Sequence, residues 1–215
     1  GAIGSAQATN EANFLFRKLT REVIGSRHID FRIEPKVKGY EDNFLIKQDK
    51  NPNTKGAADI GVIPGENGLD VHDMVHAAEQ GKLKALYIMG GDLFQSNINE
   101  DLLDAALKKL DFIIAQFPNS NKTTEYASLI LPSSTFAEIE GTWTNFKGRV
   151  QRLYKVIDAL GNSRPDWEIL QDIIKGFGIS LNYRSSEEVF RDIAKSVTQY
   201  KDLDYVKLGE TGIQT

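Results

Sequence analysis

The sequence has no cysteine at all, and that absence removes several chemistries at once. Without a thiolate the segment forms no disulfide, holds no thiolate-ligated zinc and ligates no iron–sulfur cluster, so any such cluster belongs outside it. Histidine is almost as scarce, with three in 215 residues. Two of them, His72 and His76, stand one helical turn apart in HDMVH with Asp73 beside the first, close to the zinc-protease pattern. That pair supplies only two of the three protein ligands a catalytic zinc needs, and Asp reaches a metal-bound water less well than Glu. The third histidine, His28, lies in a distant segment, so the motif reads as a helix surface and no metal is expected.

Basic charge in excess is also missing. Lys and Arg total 26 against 30 Asp and Glu, a net charge of −4, and the cations are dispersed, which excludes a polyanion field and hence nucleic acid as a partner. No apolar run approaches the roughly 20 residues of a membrane span, so no direct membrane insertion is expected. What is present is a chain 40% hydrophobic, enough to bury a substantial core. It starts GAIGSAQATNEANFLF without a methionine, and Gly1, Gly4 and Ser5 read as the turn after a strand that is not included. The sequence is therefore read as a piece of a larger subunit.

Helices alternate with short apolar runs. Over 10–23 the positions Ala12, Leu15, Phe16, Leu19 and Val23 share one helical face, and Gly25 marks the stop. A short strand is expected over 29–33, followed by a polar connection over 34–68 interrupted only by NFLIK. Asp70 caps the next helix and Gly81 ends it, after which KALYIMGG reads as a buried strand entering a tight glycine turn. Asn99 caps a helix bearing Leu102, Leu103, Ala106 and Leu110, and DFIIAQF and SLILP are further continuous apolar strands. Continuous strands separated by helices predict a parallel sheet covered on both faces. VQRLYKVI is expected to pair locally, Pro165 opens a helix, and Ser185 with Glu188 forms a capping box. The division expected is 1–68 as part of an α/β domain, 69–160 as a βαβ Rossmann-like domain and 161–215 as a helical extension.

Two stretches draw attention as ligand sites, because open α/β sheets hold ligands beyond the carboxyl ends of their strands. In MGGDLFQS, Gly90 and Gly91 allow a phosphate to approach backbone N–H groups, and Asp92 can accept from a ribose or a guanine edge; the GxGxxG fingerprint is missing. The second stretch follows LILPSS, whose Ser133 stands at another strand end. Its EGTWTNFKGRVQ carries Gly141, Thr142, Asn145, Gly148 and Arg149, where an Asn amide pairs with a base edge and Arg clamps a phosphate. The plain alternative is a structural crossover whose Glu and Arg pair with each other.

ATNEANFLFRKLTREVIGSRHID, GKLKALYIMGGDLFQS and YASLILPSSTFAEIEGTWTNFKGRVQRLYKVIDALGNSRPDWEIL resemble the central and later part of the molybdopterin oxidoreductase superfamily. NPNTKGAADIGVIPGENGLD is similar to the G subunit of the proton-pumping NADH:quinone oxidoreductase. The resemblance covers about 1–174. It implies a doubly wound α/β fold with mainly parallel sheets, of the formate dehydrogenase and DMSO reductase type. It also implies that Gly90, Gly91 and Asp92 face one guanosine half of a bis-molybdopterin guanine dinucleotide, with Ser133 at the neighbouring strand end. Gly141, Thr142, Asn145, Gly148 and Arg149 would then lie by the pterin or its phosphates. Where relatives carry Asn-Pro after the Met-Gly turn, this chain has Asp92-Leu93, and Phe146-Lys147 stands where Glu is frequent. The first expectation is therefore a non-catalytic scaffold of the G subunit without a cofactor of its own, peripheral on the cytoplasmic side of the inner membrane. Its partners would be the rest of its subunit and other peripheral-arm subunits. The alternative is one wall of a molybdopterin cage in a molybdenum or tungsten oxidoreductase such as a formate dehydrogenase.

Overall fold

A computed structural model describes residues 1–215. The chain opens with a two-residue strand, β1 (Ala2–Ile3), and after a buried turn enters α1 (Asn10–Lys18). Thr9 caps α1 by accepting from the Ala12 N–H, and Arg17 and Lys18 complement its carboxyl end. The helix then widens into a π-helical turn over Leu19–Val23, and Gly25, at φ +77°, ends it. Next comes β2 (Ile29–Asp30), which is shorter than the strand expected over 29–33. Asp30 turns its own carboxylate onto the Phe31 and Arg32 N–H groups, and this local bond draws the backbone out of the ladder.

The connection over 34–68 contains a helix that periodicity does not reveal, α2 (Thr54–Ile60). Only Ala57 and Ile60 give it an apolar face, and burying them against α1 holds it. Then follow α3 (Val71–Glu79), β3 (Ala85–Met89), α4 (Glu100–Lys109), β4 (Phe112–Phe117) and β5 (Leu129–Pro132). Asp70 and Asn99 cap α3 and α4 as expected, accepting from Asp73 N–H and Leu102 N–H. Strands β6 (Gly141–Thr144) and β7 (Arg149–Leu153) form a hairpin, and α5 (Asp166–Gly176), α6 (Ser186–Ser196), α7 (Tyr205–Leu208) and β8 (Ile213–Gln214) complete the chain.

The first five strands form one parallel sheet in the order β2-β1-β3-β4-β5. A strand precedes Gly4 after all, and β1 pairs with β3 as well as β2, so residues on both sides of the expected boundary at 68 share this sheet. Side chains alternate across it. Tyr87 and Met89 of β3 join the core with α1, α5 and α6, while Leu86 and Ile88 join the core with α3 and α4. Helices on both faces make the architecture doubly wound. The last three strands form a separate antiparallel sheet, β6-β7-β8, so the region 161–215 is helical apart from β8. No helix is long and apolar enough to cross a membrane.

Candidate functional site

In the strand order 2-1-3-4-5 the chain leaves β1 toward one edge and β3 toward the other, so the carboxyl ends of β1 and β3 are the switch point of the sheet, the place where open α/β sheets form their ligand crevice. The β1 side is Gly4, Ser5 and Ala6, all buried, with Gln7 exposed. Opposite stands the turn Gly90-Gly91-Asp92. Gly90 has φ +70°, and a Cβ there would lie 3.1 Å from the Ser5 Cβ. The Ser5 hydroxyl donates to the Gly90 carbonyl at 3.2 Å and accepts from the Gln7 N–H at 3.0 Å, pinning the two sides together. A Cβ on Gly91 would meet Ile33 Cδ1 at 2.3 Å, so both glycines serve close approach. The backbone N–H groups of Ser5, Ala6, Gly91 and Asp92 bond no other group of the chain. Four unpartnered donors in two adjacent strand-end turns are the kind of group that receives an anion.

Neighbouring strand ends extend the rim. Asp92 is partly engaged, accepting from the Phe94 N–H and from the Thr123 hydroxyl at 2.6 Å. Ser133 is buried after β5. It reaches Asp166 at the start of α5, which also accepts from Gln116 Nε2 at 2.6 Å, while the Tyr87 hydroxyl donates to Gln116 Oε1. Enclosure pushes the Asp166 carboxyl up to about 6, opposed by the bonds from Gln116 and Ser133.

The other expected site residues lie on the hairpin rather than on the parallel sheet. Thr142 is fully buried; its N–H and hydroxyl both donate to the Glu11 carboxylate, each at 2.9 Å. A Cβ on Gly141 would come within 2.8 Å of Glu11 Oε2. Asn145 folds its amide oxygen onto the Lys147 and Arg149 N–H groups, shaping the turn in which Gly148 sits at φ +87°. The Arg149 guanidinium donates to the carbonyls of Thr211 and Gly212 near the carboxyl terminus. The glutamate-arginine pairing considered for this stretch does not form. Instead Glu138 turns onto Thr135 and the Leu160 N–H, and Arg149 onto the tail. Thus Gly90, Gly91, Asp92 and Ser133 share the sheet edge, whereas Gly141, Thr142, Asn145, Gly148 and Arg149 form a second group. The segment 5–9 joins the groups, touching Gly90 through Ser5 and Gly141 through Thr9.

Several polar residues here were not anticipated: Ser5 as a crevice wall, and Asn10, Glu11 and Asn53, all fully buried. Burial pushes the Glu11 carboxyl up to about 7, against the opposing bonds from Thr142 and Tyr205. The one sequence signal for them is the run of Thr9, Asn10 and Glu11 ahead of an apolar helical stripe. No cluster of three or more potential metal ligands exists. His76 lines a shallow groove of about 380 Å³ with His28 and Asp73, and His28 Nδ1 accepts from the Leu69 N–H.

A family model described as molybdopterin oxidoreductase matches residues 5–176. The "Putative formate dehydrogenase YrhE" of Bacillus subtilis (strain 168) is 38% identical over 132 residues, covering 61% of this chain and 14% of that protein. A "Putative formate dehydrogenase" of Staphylococcus aureus (strain USA300) is 34% identical over 179 residues, covering 80% of this chain and 17% of that one. Among solved structures, acetylene hydratase from Pelobacter acetylenicus aligns over 63% of this chain and 19% of its own, with a TM-score of 0.50 at 12% identity, a likeness of fold. The chain thus spans about one-sixth of the length of these curated relatives.

Proposed function

This chain belongs to the molybdopterin oxidoreductase family, and on that premise we propose that it forms one wall of the site for the guanine dinucleotide end of a molybdopterin cofactor, in an oxidoreductase of the formate dehydrogenase type. The observation that carries this reading is the pair of turns at the carboxyl ends of β1 and β3, where the N–H groups of Ser5, Ala6, Gly91 and Asp92 have no partner in the chain. These donors suit a diphosphate. Asp92 retains a second carboxylate oxygen for a ribose or guanine edge, whereas the Ser133 side chain is turned to Asp166. The names of the relatives favour this reading over the alternative. When bound, the cofactor supplies two-electron chemistry at its metal; this chain binds and orients, since it holds no thiolate or metal cluster of its own.

A second reading makes the segment a scaffold in the G subunit of a NADH:quinone oxidoreductase, docked on the rest of its subunit and on neighbouring peripheral-arm subunits at the cytoplasmic face of the inner membrane. What favours it is that the polar groups of Thr142 and Arg149, expected beside a pterin, are bonded within the chain. Elemental analysis and pterin fluorescence after oxidation, on the intact subunit from its native host, separate the two. Stoichiometric molybdenum or tungsten with pterin is expected. Their absence from an intact, active assembly would replace the first reading with the second.

A further inference from the structure

Residues beyond 176 lie outside the stretch matched by the family model, yet they close back on the hairpin sheet and on α1. Strand β8 extends the hairpin sheet, pairing Val150 with Ile213 and Arg149 with Gln214. Two tyrosines from the same region enter the interior. Tyr200, fully buried, bonds the Thr144 hydroxyl at 2.7 Å and Asn10 Oδ1 at 3.4 Å. Tyr205, 3% exposed, donates to Glu11 Oε1 at 3.0 Å.

From these contacts an unbroken polar network runs to the crevice loop. Asn10 Nδ2 donates to the hydroxyls of Thr142 and Thr144. The Thr144 N–H donates to Asn53 Oδ1 at 2.7 Å, and Asn53 returns its Nδ2 to the Ala8 carbonyl at 2.8 Å and its own N–H to the Ala6 carbonyl at 2.9 Å. Asn53 therefore grips the 5–9 segment by two carbonyls. Room for this is reserved in the backbone. A Cβ on Gly56 would lie 2.0 Å from Asn53 Oδ1 and 2.2 Å from Asn10 Oδ1. The low propensity of glycine in a helix is the local cost of admitting the two amides.

We propose that Tyr200 and Tyr205 are positioning residues for the crevice. Seated against Asn10, Glu11 and Thr144, they hold Asn53 on the Ala6 and Ala8 carbonyls, so the carboxyl-terminal segment is a clasp that sets the direction of the Ser5 and Ala6 N–H groups. The consequence for a ligand rests on the reading of the crevice given above; the coupling of the clasp to the loop does not.

The full chain is compared with Tyr200→Phe, Tyr205→Phe and the double variant, each of which removes only hydroxyls. Amide hydrogen exchange is expected to be about tenfold faster in the double variant at Gln7, Ala8, Asn53 and Thr144, and smaller in each single variant, the scale of one or two lost buried hydrogen bonds. Exchange at Ile88, Ile113 and Ala115 in β3 and β4 should not change. Equal rates at the first set, or a uniform rise across both sets, would overturn the clasp. Titration with guanosine diphosphate is the second arm. Weaker binding in the double variant by a similar factor supports the positioning role, and unchanged affinity despite faster exchange refutes it. A wild-type chain that does not bind guanosine diphosphate overturns the crevice reading instead, and the exchange rates still decide the coupling.

Discussion

Glu11 is a costly residue to enclose completely, and its pKa makes the cost measurable. The ordinary carboxyl value of 4.5 rises to about 7 through burial. The folded protein therefore holds this proton more tightly than the unfolded chain does. The associated stability is fully present below about pH 4.5 and is lost as pH climbs through about 7, a displacement worth ~3 kcal/mol. Tyr205 faces the carboxyl from α7, and the Arg152 guanidinium lies 4.5 Å from the centre of that tyrosine ring, so one cation stands behind the donor. Glu11→Gln imitates the protonated group. Denaturant unfolding from pH 5 to pH 8 should show a smaller loss of stability in the variant than in the wild type. Asp166 titrates in both proteins and cancels in the difference. Identical pH slopes would show that Glu11 is ionised and otherwise compensated in the folded state.

Elements here differ in what holds them. Helices α3, α4 and α6 announce themselves in sequence because their caps are local: Asp70, Asn99 and Ser185 each accept from an N–H three residues on. At the start of α6, Glu188 reaches the Arg184 N–H rather than that of Ser185, so the capping box is one residue wider than its usual form. Four-residue α7 carries the same kind of cap, Asp204 accepting from the Lys207 N–H at 2.7 Å, but a single turn is too short to stand on a cap alone. It persists because Tyr205 and Leu208, 1% exposed, are packed into the core. Leu208→Ala should lower stability by about 2–4 kcal/mol in denaturant unfolding; a loss below about 0.5 kcal/mol would mean that the clasp is not anchored there. The same contrast explains what sequence made legible. Gly90, Gly91 and Asp92 are readable as a strand-end turn because glycines follow a continuous apolar run. Asn53, α2 and β8 are not, since their partners are distant in the chain: Asn53 meets Thr144 across 91 positions and Tyr205 meets Glu11 across 194.

At the scale of the molecule, the sheet is finished on its faces but not at its β5 edge. Leu129 and Ile130 are 43% and 51% exposed although their strand is continuously apolar. A parallel strand of that composition is one that other structures cover. The isolated chain should therefore self-associate as concentration rises, and Ile130→Lys should shift sedimentation toward monomer; no concentration dependence in the wild type would show that the edge is tolerated in water. The clasp has a further consequence, which concerns time. Its tyrosines leave the ribosome 190 or more residues after the helix they secure. At about 5–20 residues per second that interval is on the order of 10–40 s. During synthesis the crevice loop is thus made early and fastened late, so for that interval its N–H groups are held without the clasp, by the bonds that Ser5 and Asn53 make.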